Sequence, residues 1–144
     1  MKPALALLAL LAGCATAPPP ALEPAGAPAP APAPARGESI AVASLLESAR
    51  SDTEAGRLAG AAASLERAIR IEPRNPRLWH ELARVRLRQG DYAQAESVAA
   101  RSNTWAGGEH ELRAENWRLI ARSREARGDA AGAREALDAA ERQR

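Results

Sequence analysis

Residues 76–102 read PRLWHELARVRLRQGDYAQAESVAARS, and their punctuation decides the fold. Pro76 fits the first position of a helix, where its missing amide hydrogen costs nothing. An amphipathic run follows as far as Gly90, whose freedom at positive φ suits a helix end. Asp91 is placed to cap the next helix, and an Ala-rich amphipathic run follows it. This is a helix, a tight turn and a second helix within one repeat length.

The same punctuation recurs on both sides. Gly-Asp is found at Gly90-Asp91 and again at Gly128-Asp129. Trp79 and Trp117 each lie eleven residues before the glycine of their unit, and Leu45 lies eleven before Gly56 in a weaker copy. Gly56 to Gly90 is 34 residues, and Gly90 to Gly128 is 38. Thirty-four residues accommodate two helices of about 14 residues with two turns. The spacing predicts six helices in three pairs, over 39–54, 58–71, 76–89, 92–102, 111–127 and 130–142. The four extra residues fall in SNTWAGGEHE, residues 102–111, read as a longer loop.

The middle unit resembles the tetratricopeptide repeat, whose pattern is Trp-x2-Leu-Gly-x2-Tyr, then Ala-x3-Phe, then Pro. Trp79, Leu82 and Ala83 follow its first part, with Ala for Gly, and Ala95 and Ala99 its second. Arg86 stands where Tyr is usual. The unit before keeps Ala61, Leu65 and Pro73 but has Ser48 and Asp52 at large-residue positions. The unit after has Trp117, Ile120, Ala121, Ala133 and Leu137, with Arg124 at the Tyr position. The resemblance implies an all-α fold of stacked helical hairpins, with small residues where helices approach and Trp79 and Trp117 in the core.

Upstream the composition changes. Residues 15–37 carry eight prolines between Pro18 and Pro34 and end in alternating Ala-Pro. Proline lacks an amide donor, and this stretch has nothing with which to build a core. It reads as a disordered, polyproline-like tether reaching roughly 70 Å at about 3.1 Å per residue. A proline-rich ligand for an aromatic groove is the competing use, and Ala-Pro repeats offer it little side-chain information.

Before the tether, Met1-Lys2 precedes the apolar run ALALLALLA, residues 4–12. Nine residues are too few to span a bilayer, which takes about 20, but suit the core of a signal peptide. The run ends Leu11-Ala12-Gly13-Cys14, which resembles the lipobox of bacterial lipoproteins. That family implies cleavage before Cys14 and acylation of its thiol and new amino terminus, several chains giving the stable anchoring that one cannot. Ala15, rather than Asp, after the Cys implies by the same analogy the outer membrane. The expected organisation is a signal peptide over 1–13, a lipidated Cys14 and tether over 14–37, and a helical domain over 38–144 facing the periplasm.

Cys14 is the only cysteine, so no intrachain disulfide is possible, and neither His80 nor His110 has a partner at metal-ligand spacing. A net charge of +2 from 20 basic and 18 acidic residues is too small and mixed for a nucleic-acid binder. No nucleophile with a His and a carboxylate nearby in sequence, no phosphate loop and no metal motif is visible, so neither an enzyme, a cofactor nor a small-molecule substrate is expected.

Arrays of this kind bind other proteins on a concave face lined by the first helix of each pair. In clamp-type members, groove contacts come one residue after the Trp/Leu position and four further on. Carried over, these are Leu46 and Arg50, His80 and Arg84, and Arg118 and Arg122, with Arg88 extending the row. A row of arginines favours an acidic or carboxylate-bearing protein segment. Arginine is also abundant throughout the chain, all basic residues but Lys2, so solvated faces are the competing reading. Trp105, off the repeat pattern, is either an interface anchor or folds back over a helix pair. The order of parts resembles lipoprotein activators of bifunctional penicillin-binding proteins, which implies a cell-wall synthase as partner. A pilotin-like pilus or secretin assembly factor and an adaptor for a periplasmic protease are the alternatives.

Overall fold

The computed structural model describes residues 36–143, with side chains from residue 40. Cys14 and the tether up to residue 35 lie outside the described residues. All regular elements among those described are helices: α1 (Arg36–Glu54), α2 (Leu58–Ile71), α3 (Pro76–Arg88), α4 (Tyr92–Trp105), α5 (His110–Ala126) and α6 (Ala130–Glu141). They pair in order as α1–α2, α3–α4 and α5–α6. Successive pairs stack through α2 on α3 and α4 on α5, and α3 also touches α5.

The turns inside the three hairpins are built alike. Gly56, Gly90 and Gly128 have φ of 74°, 79° and 81°. The amide after each glycine donates to the carbonyl five residues back: Arg57 to Asp52 at 2.8 Å, Asp91 to Arg86 and Asp129 to Arg124 at 2.9 Å. This is a helix C-cap that satisfies a carbonyl otherwise left bare. Asp129 caps as expected, its carboxylate accepting from the Gly132 amide at 2.9 Å. The Asp91 side chain makes no such bond. Asn75 caps α3 instead of leaving that job to Pro76 alone, accepting from the Arg77 amide at 3.1 Å.

Two helix ends differ from expectation. α1 extends back to Arg36, since the last proline before it is Pro34. α4 runs to Trp105 rather than stopping at residue 102, which leaves a connection of only four residues, 106–109. Ser102 explains the extra turn: its hydroxyl donates to the Pro76 carbonyl at 2.8 Å, which holds the end of α4 against the start of α3. The break comes where φ turns positive, at Gly107.

The small positions of the repeat are where the helices touch. Ala61, Ala83, Ala95, Ala99 and Ala121 are buried, and the larger Leu65, Leu78, Leu82 and Ile120 fill the space between them. Trp79 and Trp117 are half-buried against these clusters. Leu137, the counterpart of Leu65 in the last unit, is 49% exposed because no further hairpin among the described residues covers it. The arginines at the usual Tyr positions bridge hairpins. Arg86 in α3 pairs with Glu66 in α2 at 2.5 Å, and Arg124 in α5 pairs with Glu96 in α4 at 2.8 Å. Arg127 reaches the same Glu96 carboxylate.

Candidate functional site

The first helices α1, α3 and α5 line one face; a cavity of about 350 Å³ between α5 and α6 touches its far end through Arg118 and Arg122, and two cavities lie between neighbouring first helices. One, of about 420 Å³, sits between α1 and α3. Leu46, Ala49, Leu65 and Val85 give it an apolar floor, and Arg50, Arg84 and Arg88 stand at its edges with Glu54 and Glu81. The other, of about 350 Å³, sits between α3 and α5 and is lined by His80, Arg84, Glu115, Arg118, Leu119 and Arg122. Arg84 borders both, which makes them neighbouring parts of one groove. The residues expected on the concave face therefore come together there.

Their states differ. Arg50 and Arg84 are exposed and lean on acids of their own helices, Glu47 at 3.8 Å and Glu81 at 3.1 Å. Arg118 lies 3.5 Å from Glu111. Exposed pairs of this kind contribute about 0–1 kcal/mol each, so they hold these guanidinium groups only weakly. Arg88 and Arg122 are exposed and make no ion pair among the described residues.

His80 departs from the expected open contact. It is only 8% exposed. Its Nδ1 lies 2.8 Å from Asn116 Oδ1, and its Nε2 lies 3.6 Å from the Glu115 carboxylate. Asn116 in turn donates from Nδ2 to Ser102 Oγ at 2.8 Å and Asn103 Oδ1 at 2.9 Å. This buried chain joins α3, α4 and α5 beneath the basic cavity. Sequence reasoning missed it, although a signal was present. Leu112, Asn116, Leu119 and Ser123 recur at core-facing helical spacing, and all four are buried. Two polar residues within an apolar stripe announce a buried polar network.

Trp105 is the last residue of α4, not a loop residue, and is 37% exposed. It lines neither cavity of the groove. The Arg74 guanidinium sits 5.4 Å from the centre of its ring, as that of Arg101 does over Trp79. Among the described residues no cluster of His, Cys, Asp and Glu is arranged to hold a metal ion. No helix among them is long and apolar enough to cross a membrane.

A concave face formed by the first helices of three stacked hairpins defines a tetratricopeptide-repeat domain, and the family model described as "Tetratricopeptide repeat" matches residues 52–115. No curated protein sequence matches this chain. A solved structure does: the globular C-terminal domain of LpoP from P. aeruginosa is 50% identical, with a TM-score of 0.68, over 69% of this chain and 94% of that one. At that identity and coverage the chain belongs to the same family as the LpoP globular domain.

Proposed function

We propose that this chain is a lipid-anchored scaffold of the outer membrane, facing the periplasm, whose groove binds and activates a bifunctional penicillin-binding protein in peptidoglycan synthesis. It contributes a surface rather than chemistry and needs no cofactor. The observation that carries this reading is the 50% identity to the LpoP globular domain across nearly all of that domain. The order of lipobox, proline-rich tether and short repeat domain resembles the activator class in the same way. Arg50, His80, Arg84, Arg88, Arg118 and Arg122 are the proposed partner-binding residues. Their basic balance suits an acidic segment of the partner, because guanidinium groups make paired hydrogen bonds to carboxylates. Cys14 is the proposed anchor.

A pull-down tests it. Full-length protein serves as bait in detergent-solubilised envelope, with an Arg84→Glu, Arg122→Glu form as control. Capture of a penicillin-binding protein by wild type alone is expected, with the helicity and melting of the control unchanged. Capture of pilus or protease components instead overturns the named pathway. For the anchor, Cys14→Ala is expected to leave the protein unacylated and released from the membrane fraction; acyl label retained by that variant refutes the assignment.

A further inference from the structure

The two cavities that meet at Arg84 offer different chemistry. The floor between α1 and α3 is apolar, with Leu46, Ala49, Leu65 and Val85. The lining between α3 and α5 is polar except for Leu119 and carries three arginines against one carboxylate. We propose, resting on the groove reading above, that the groove selects an extended peptide of two-part composition. One apolar side chain sits between α1 and α3, and one Asp or Glu side chain sits between α3 and α5.

Arg122 receives the carboxylate. It is exposed on the cavity edge and unpaired among the described residues. Arg118 stands beside it, with only the longer pair to Glu111 to give up. The buried network then prepares His80 for the peptide backbone. Ser102 has one hydroxyl hydrogen and gives it to the Pro76 carbonyl. Its oxygen must therefore accept from Asn116, which places Asn116 Nδ2 towards Ser102 and Asn103 and Oδ1 towards His80. A carboxamide oxygen only accepts, so His80 Nδ1 carries the hydrogen. In the neutral ring Nε2 is then an acceptor. It finds no donor in Glu115, 3.6 Å away and itself an acceptor. An extended peptide carries backbone N–H groups that need such an acceptor once they leave water. While the ring is neutral, His80 is thus a positioning group for the chain, and the arginines read the acid.

Amide NMR of full-length, isotope-labelled protein tests this with synthetic peptides capped at both ends. Each peptide holds one Leu and one Glu separated by one to five Ser or Ala residues. One spacing is expected to shift the amides of α3 and α5 around Arg84 and Arg122. Glu→Gln or Leu→Ser in that peptide weakens binding about tenfold. Arg122→Gln in the protein weakens the Glu peptide by about the same factor and leaves the Gln peptide unchanged. Shifts no larger than those from a peptide lacking both residues overturn the proposal. Equal weakening of the Glu and Gln peptides by Arg122→Gln does so too, and the peptide substitutions stand even if that variant misfolds. The peptides contain no synthase sequence. Binding them without capturing a synthase overturns the activator reading alone, whereas a captured synthase that the peptide fails to displace overturns this inference alone.

Discussion

Between α2 and α3 the hairpins meet through Leu65, Leu78, Leu82 and Val85, one apolar cluster shared with α1. Around α3, α4 and α5 they meet through Ala83, Ala99, Leu119 and Ile120, with the side chains of His80, Asn116 and Ser102 buried alongside. Both seams use the same repeat geometry and each carries an Arg–Glu bridge across it. They differ in what fills the middle. Apolar filling is non-directional and supplies stability in proportion to buried area. A hydrogen-bonded network adds little net stability, less still here because Asn103 Nδ2 is buried without a partner, but fixes the direction of each bonded polar atom. The first seam therefore holds the array together, and the second orients the basic end of the groove.

The sharpest way to break that contrast is Leu65→Ala. Leu65 is 1% exposed, and its loss is expected to cost about 2–5 kcal/mol, read as a lower midpoint in thermal melting. A cost below about 1 kcal/mol would remove the first seam from its role as the main source of stability.

Asn116→Ala is expected to cost less, about 1–3 kcal/mol, because it strands the His80 Nδ1–H and leaves Ser102 Oγ and Asn103 Oδ1 without their donor. Its distinguishing effect is on the imidazole. In wild type, ring-nitrogen NMR of the neutral form is expected to find the hydrogen on Nδ1; in the variant the two tautomers mix. A single Nε2–H tautomer in wild type would contradict the polarity assigned to the network.

Gly90→Ala and Gly128→Ala should cost about 1 kcal/mol each and nearly the same as each other. Both glycines have φ near 80°, and an added Cβ at either meets nothing within 4 Å, so only the backbone conformation is penalised. A large difference in chemical melts would mean that the two hairpin turns are not equivalent.

The architecture was readable because it rests on local chemistry that repeats. The turn glycines, the Trp positions and Pro76 each act within a single hairpin and recur from one hairpin to the next, and all six helices fall where they place them. The end of α4 was not, because Ser102, Asn103 and Thr104 are poor predictors of helix by themselves. What extends the helix is a bond from Ser102 to a carbonyl 26 residues away. The burial of His80 was hidden for the same reason, since its partner Asn116 lies 36 residues along the chain. The arginine row was readable as a column of the repeat. That Arg122 stands unpaired while Arg84 and Arg118 lean on acids depends on rotamers no repeat pattern specifies.

The most direct test of the central claim is glycan polymerisation by a purified bifunctional penicillin-binding protein from the same cell, measured with and without this protein. The rate is expected to rise with wild type and to stay at the basal value with the Arg84→Glu, Arg122→Glu form. Equal stimulation by both forms would contradict the groove, and no stimulation by wild type would contradict the activator role itself.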